Sequence, residues 1–155
     1  VGGEIDNIDA DTKELFSKPT PTSDVRLDKW ARKHVPGFVR VLPRDELVNE
    51  TPKPGSSWVL NLDPHYERGG THWTALYVAK RRPQLYYFDS YGLPPPKDVM
   101  NLGRKYGLGV VRSGVRWQRY EKEVNCGQRS VAALRELARA PDDYVAMQKL
   151  ANARP

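Results

Sequence analysis

Between residues 58 and 90 three segments follow one another, Trp58 to Leu62, Thr71 to Lys80 and Gln84 to Ser90, rich in aromatic and β-branched side chains and bounded by Pro and Gly. This pattern predicts three successive strands. In the second, His72, Thr74, Leu76 and Val78 share one face while Trp73, Ala75, Tyr77 and Ala79 share the other. Two more strands are expected around Val110-Val111 and from Val115 to Tyr120.

Helical patterns flank this middle. Ser23 and Asp24 are placed to cap a short helix that carries Leu27, Trp30 and Ala31 on one side and ends near Pro36-Gly37. The run Leu93-Pro94-Pro95-Pro96 forces an extended turn before a helix from Lys97 to Tyr106, stopped by Gly107. From Cys126 onward Val131, Leu134, Leu137 and Ala138 recur at helical spacing. A second helix then starts near Pro141-Asp142 and carries Val145, Met147 and Leu150. Helices on both sides of a central, mostly antiparallel sheet predict an α+β fold. Residues 1–22, with Pro19 and Pro21 near their end, show no sustained periodicity and read as an arm. Residues 23–155 are expected to form a single domain, because 155 residues suit one core and the connections are too short for interdomain linkers.

Bulk composition narrows the classes. Apolar residues at 39%, with four Trp and eight Tyr, argue against intrinsic disorder. No stretch approaches the roughly 18 apolar residues of a membrane span, and Val1-Gly2-Gly3-Glu4 has neither the basic nor the apolar region of a secretory leader. The expectation is a protein with no membrane partner. A formal charge of +6 favours polyanions by long-range attraction, and equally fits ordinary solubility charge. The single cysteine, Cys126, precludes an intrachain disulfide and points to a reducing compartment rather than secretion. Three scattered histidines and one cysteine show no metal-ligand spacing, so neither a metal nor another cofactor is expected.

The lone thiol asks for a chemical explanation. Cys126 stands before Gly127 where an irregular polar stretch turns into a helix. Backbone N–H groups and the helix dipole favour negative charge there, which suits a nucleophilic thiolate. Gly127 would let a substrate backbone approach closely. A buried cysteine acting as a small hydrophobe is the competing reading.

A thiol nucleophile needs a base. His34 and His65 read as solvated surface residues, whereas His72 begins the alternating strand and is held at its end. Asp89 is the only acid in the aromatic strand Tyr86-Tyr87-Phe88-Asp89, and is a candidate to orient the imidazole or, alternatively, to cap the turn from Ser90 to Gly92. Gln118, eight positions before Cys126, is the candidate oxyanion donor alongside the Cys126 N–H, with Gln128 a weaker alternative.

Gly69-Gly70-Thr71-His72-Trp73, Tyr87-Phe88-Asp89-Ser90-Tyr91-Gly92, Gln118 and Asn125-Cys126-Gly127, in that order, resemble the adenovirus maturation protease (adenain) family and, more distantly, the SUMO-specific Ulp proteases that share its fold. The resemblance extends to Val35-Pro36-Gly37-Phe38 and to Trp58 through Asp63, and covers roughly residues 24 to 140. It implies a papain-like, Ulp-type α+β fold with His72 as base, Asp89 as orienting acid, Cys126 as nucleophile and Gln118 as oxyanion donor. Trp73 would pack beside the active site, and a plain core tryptophan explains it equally well. The implied activity is that of a thiol endopeptidase cleaving viral precursor proteins near Gly-Gly sites during virion maturation, located in the virion or in the host nucleus or cytoplasm.

Three departures from the adenovirus pattern matter. There is no second cysteine to tether an activating peptide by disulfide, the third member is Asp rather than Glu, and the chain after Cys126 has room for two helices only. DNA remains the candidate stimulating partner of a monomeric enzyme. Lys80-Arg81-Arg82 at a predicted hairpin, with Arg112, Arg116 and Arg119, would supply the basic surface, and a solvated positive face is the alternative. A deubiquitinase-like or deSUMOylase-like isopeptidase using the same residues, or a non-catalytic nucleic-acid-binding module, are the rival functional readings.

Overall fold

A computed structural model describes residues 23–62, 72–113 and 126–152. The expected arm at 1–22, the expected strand from Val115 to Tyr120, and His65, Arg116, Gln118 and Arg119 lie outside the described residues.

Helix α1 spans Asp24–His34. Its start follows from Ser23, an extended residue whose side chain accepts a hydrogen bond from Arg26 N at 3.2 Å, with Asp24 in the first turn where acid favours the helix dipole. Leu27 and Ala31 are fully buried, whereas Trp30 is only half-buried and stacks on His34 with ring centroids 4.4 Å apart. His34 is therefore half-covered rather than solvated. The chain then turns through Gly37 at φ 78°, where a Cβ would come within 2.3 Å of Gly55 O, so only glycine fits.

Five strands follow: β1 Phe38–Pro43, β2 Ser57–Asn61, β3 Trp73–Val78, β4 Gln84–Phe88 and β5 Gly109–Arg112. They form one sheet in sequential order. The inner pairs β2–β3 and β3–β4 are antiparallel, while the outer pairs β1–β2 and β4–β5 are parallel. The sheet is thus mixed within an α+β fold. Each parallel pair needs a crossover. A 3-10 helix at Arg44–Asn49 lies in the first connection and helix α2, Lys97–Tyr106, in the second. Gly107, left-handed at φ 69°, ends α2 as its composition implied.

Strand β1 and the 3-10 helix carried no clear sequence signal. β1 is half-buried along most of its length, so its side chains do not alternate between core and solvent, and Pro43 closes it. A helix carboxylate helps hold this edge strand: Val41 N donates to Asp28 Oδ2 at 2.9 Å.

Alternation along the strands sorts the core into two layers. Val59, Trp73, Ala75, Tyr77, Tyr86 and Phe88 face α1, α3 (Cys126–Arg139) and α4 (Asp143–Asn152). Trp58, Leu60, Leu76, Val78, Leu85 and Tyr87 face the 3-10 helix and α2 through Leu47, Val99 and Leu102. In α4 the inward stripe is Asp143, Met147 and Leu150, at spacings of four and three. Val145 therefore points outward, 46% exposed, instead of joining the core.

Asp143 ties the β3–β4 hairpin to α4. Its Oδ2 accepts from Tyr77 Oη at 2.7 Å and from Lys80 N at 2.9 Å, while burial and that carboxylate push the Tyr77 phenol well above its ordinary pKa. Asp143→Ala leaves the buried Tyr77 hydroxyl and the part-buried Lys80 N–H without their acceptor and should cost about 1–3 kcal/mol of stability, read as a lower urea midpoint with an unchanged slope.

Candidate active site

Antiparallel pairing of β3 and β4 brings the residue before β3 and the residue after β4 to the same end of the sheet. Those residues are His72 and Asp89. His72 is fixed by its backbone, whose carbonyl accepts from Leu62 N at 2.8 Å beyond the end of β2. Its Nε2 donates to Asp89 Oδ1, also at 2.8 Å.

Asp89 is completely buried. Its Oδ1 also accepts from Tyr91 N at 2.8 Å, and its carbonyl accepts from Gly92 N at 2.8 Å. The two roles considered for this acid are therefore both present geometrically: one carboxylate shapes the turn and grips the imidazole. Gly92 sits at φ 70°, the left-handed conformation that the turn requires.

Cys126 is the first residue of α3 and is buried, 5% exposed. Ser130 Oγ lies 2.7 Å from Cys126 O and 3.1 Å from Trp73 O, so its one hydrogen serves two acceptors and couples the start of α3 to the start of β3. The helix comes this close because residue 127 has no side chain. A Cβ on Gly127 would meet Leu27 Cδ1 at 2.7 Å and Trp73 Cε3 at 3.0 Å. The close approach that Gly127 permits here is thus between α3, α1 and β3. Trp73 is buried beside it and donates from Nε1 to Asp24 Oδ1 at 2.6 Å, which makes α1 a brace for the cysteine-bearing helix start.

Electrostatics join the three side chains. Burial opposes charge on His72. Hydrogen bonding and charge from Asp89 and from Cys126 outweigh it, and raise the imidazole from its ordinary 6.5 to about 9. With Nε2 committed to Asp89, Nδ1 is the nitrogen left for the sulfur. Nδ1 is buried and makes no well-formed hydrogen bond among the described residues. Cys126 nonetheless acts on the ring by hydrogen bonding and charge, and catalytic pairs commonly tighten only when substrate closes them. The arrangement is an imidazole bonded to a buried carboxylate and favoured in its charged form by a cysteine at the start of a helix, a set suited to proton transfer to and from sulfur.

Tyr91, quoted in the motif without a role, and Ser130 also belong to the site. The Tyr91 ring lies against His72, with centroids 4.8 Å apart and a 40° tilt. Its signal was available, since in an Asx-type turn the residue two after the acid returns its N–H to the carboxylate. Ser130 follows Cys126 by four positions, the spacing at which a serine bonds back to the preceding helical turn. Gln128 is buried.

The basic groups are spread out. Lys80, Arg81 and Arg82 stand at the β3–β4 turn, roughly 20 Å of strand from His72. There Lys80 Nζ donates to Ala138 O at 3.1 Å and Arg82 lies 3.7 Å over the Tyr144 ring. Arg112 pairs in register with Tyr87, towards the Asp89 end. A surface cavity of about 450 Å³ between α3 and α4, lined by Arg135, Arg139, Val145 and Lys149, also lies at the far end of α3 from Cys126. Among the described residues no group of three His, Cys, Asp or Glu side chains is arranged to hold a metal ion, and no helix is long and apolar enough to cross a membrane.

No protein-family model and no curated protein matches the chain. Among solved structures it is similar to the ASFV pS273R protease, with a TM-score of 0.60 and 19% identity over 89% of this chain and 63% of that one. The Se-Met form of the same protease gives a TM-score of 0.60 and 18% identity over 89% and 64%. The chain thus has the fold of a viral protease and spans less than two thirds of that protein's length.

Placing a methyl group on residue 127 forces two buried neighbours to move. Gly127→Ala should cost about 1–3 kcal/mol and, by displacing Cys126, slow its alkylation by iodoacetamide. Both effects are measurable on the purified protein.

Proposed function

We propose that this chain is a cysteine endopeptidase with Cys126 as nucleophile, His72 as general base and acid, and Asp89 as the residue that orients His72. The observation that carries this reading is the buried Asp89 carboxylate 2.8 Å from an imidazole whose pKa is raised to about 9 by that carboxylate and by Cys126. A merely structural cysteine has no use for such a neighbour. The fold it shares with a viral protease supports the reading, as does the ordered resemblance of its motifs to adenain.

In the reaction, His72 Nδ1 accepts the Cys126 proton and the thiolate attacks the carbonyl carbon of the scissile peptide. The oxyanion is held by the Cys126 N–H at the start of α3 and by the side-chain amide of Gln118. Collapse breaks the C–N bond, and His72 returns its proton to the departing amine. Water, deprotonated by His72, then hydrolyses the thioester, releasing a carboxylate and restoring the thiol. Asp89 keeps Nε2–H engaged throughout, so the nitrogen facing sulfur is always Nδ1.

The substrates in this reading are viral precursor proteins cut at Gly-Gly-type sites during virion maturation. The chemistry of this reading calls for no metal, and a disulfide-linked activating peptide has no thiol to use other than the nucleophile, since Cys126 is the sole cysteine of the sequence.

Cys126→Ala and His72→Ala should each abolish turnover of a Gly-Gly peptide, and full activity in either variant sinks the mechanism. His72 loses its proton as the pH rises through about 9. The acid for the leaving amine goes with it, so kcat/KM should fall on an alkaline limb near pH 9. Asp89→Asn removes the charge that counters burial. The limb should then move to lower pH, with a rate loss of roughly 10²–10⁴; an unmoved limb would separate Asp89 from the reaction.

A further inference from the structure

We propose that Tyr91 is a positioning residue for His72, acting through its ring and its backbone N–H together. The inference rests on the reading of His72 and Asp89 given above and adds a residue that neither motif nor fold assigns.

Asp89 holds His72 through one oxygen only. Oδ1 accepts from His72 Nε2 and from Tyr91 N, both at 2.8 Å, whereas the buried Oδ2 has no hydrogen-bond partner among the described residues. With Oδ2 unbonded, the position of Oδ1 rests on its two donors, which hold it more firmly than His72 alone could. Tyr91 N is the second of them. The same turn is closed by Gly92 N on Asp89 O at 2.8 Å, which fixes where residue 91 must lie.

The turn returns the Tyr91 side chain onto the imidazole, with ring centroids 4.8 Å apart. An imidazole has a soft torsion at its ring, and a half-turn puts Cδ2 where Nδ1 was and Cε1 where Nε2 was. Such a turn would face both Cys126 and Asp89 with carbon and break the hydrogen bond to Asp89. A flat, stiff aromatic ring against one face blocks that rotation at little entropic cost. It also limits water at a side chain that is 16% exposed, and so protects the Nε2–H to Asp89 bond from exchange. Tyr91 touches no reacting atom in this scheme and acts through His72.

Three variants test the proposal. Tyr91→Phe keeps the ring and the backbone, Tyr91→Leu keeps bulk without a flat face, and Tyr91→Ala removes both. Each is followed by kcat and KM on a Gly-Gly peptide, by the low-field proton resonance of His72 Nε2–H, assigned by its loss in His72→Gln, and by thermal unfolding. Phe should stay within about twofold of the parent. Leu and Ala should lose roughly 10- to 100-fold in kcat, with KM little changed, and the resonance should broaden or vanish through exchange.

The proposal is overturned if Leu keeps both kcat and the resonance, if the loss appears in KM alone, or if Phe falls as far as Leu. Should Ala fail to fold, Leu decides. If the parent protein cleaves no peptide, the proteolytic reading fails while the resonance still decides the role of Tyr91.

Discussion

The structure depends on one hydrogen bond made possible by strand direction. His72 and Asp89 are separated by the whole β3–β4 hairpin, yet antiparallel pairing delivers both to one end of the sheet with Nε2 and Oδ1 2.8 Å apart. Every residue of β3 is buried, as are Leu85 through Phe88 of β4, so the two backbones have little freedom to slide. A one-residue slip would turn His72 to the opposite face and lose the bond. Precision at the site is therefore a consequence of core packing on both sides of the sheet.

The cysteine reaches that pair by a different route. It is carried on α3, whose start is pressed against β3 because Gly127 leaves room for Leu27 and Trp73, and because Ser130 bridges Cys126 O and Trp73 O. Helix α1 enters through Asp24, which accepts from the Trp73 indole. Three elements thus set the distance between sulfur and imidazole. The charge arrangement follows: an imidazole that burial alone would keep neutral has its pKa raised to about 9, because the Asp89 carboxylate and Cys126 both favour its charged form.

Much of this was readable from residues. Ser23 and Asp24 marked the start of α1, Gly107 the end of α2, and the alternation after His72 correctly divided the faces of β3 between the two core layers. Where reading failed, the physics is specific. β1 is an edge strand half-covered along its length, so it lacks the periodicity of a strand with one wet face, and its parallel pairing with β2 leaves no hairpin turn to announce it. Val145 looked apolar enough for the core but lies off the stripe that Asp143, Met147 and Leu150 define. Trp30 and His34 cover one another, a local contact that spacing does not reveal.

At the candidate site the division is sharper. The order His72, Asp89, Cys126 and the placement of each at the end of a strand or the start of a helix were legible, because side-chain chemistry and element boundaries are local properties of the chain. Which imidazole nitrogen meets the acid, that Tyr91 lies on the ring, and that Gly127 faces Leu27 and Trp73 were not. These are contacts between residues brought together by sheet register and helix packing. Such contacts are selected by the burial of the whole core, which no short stretch of residues encodes.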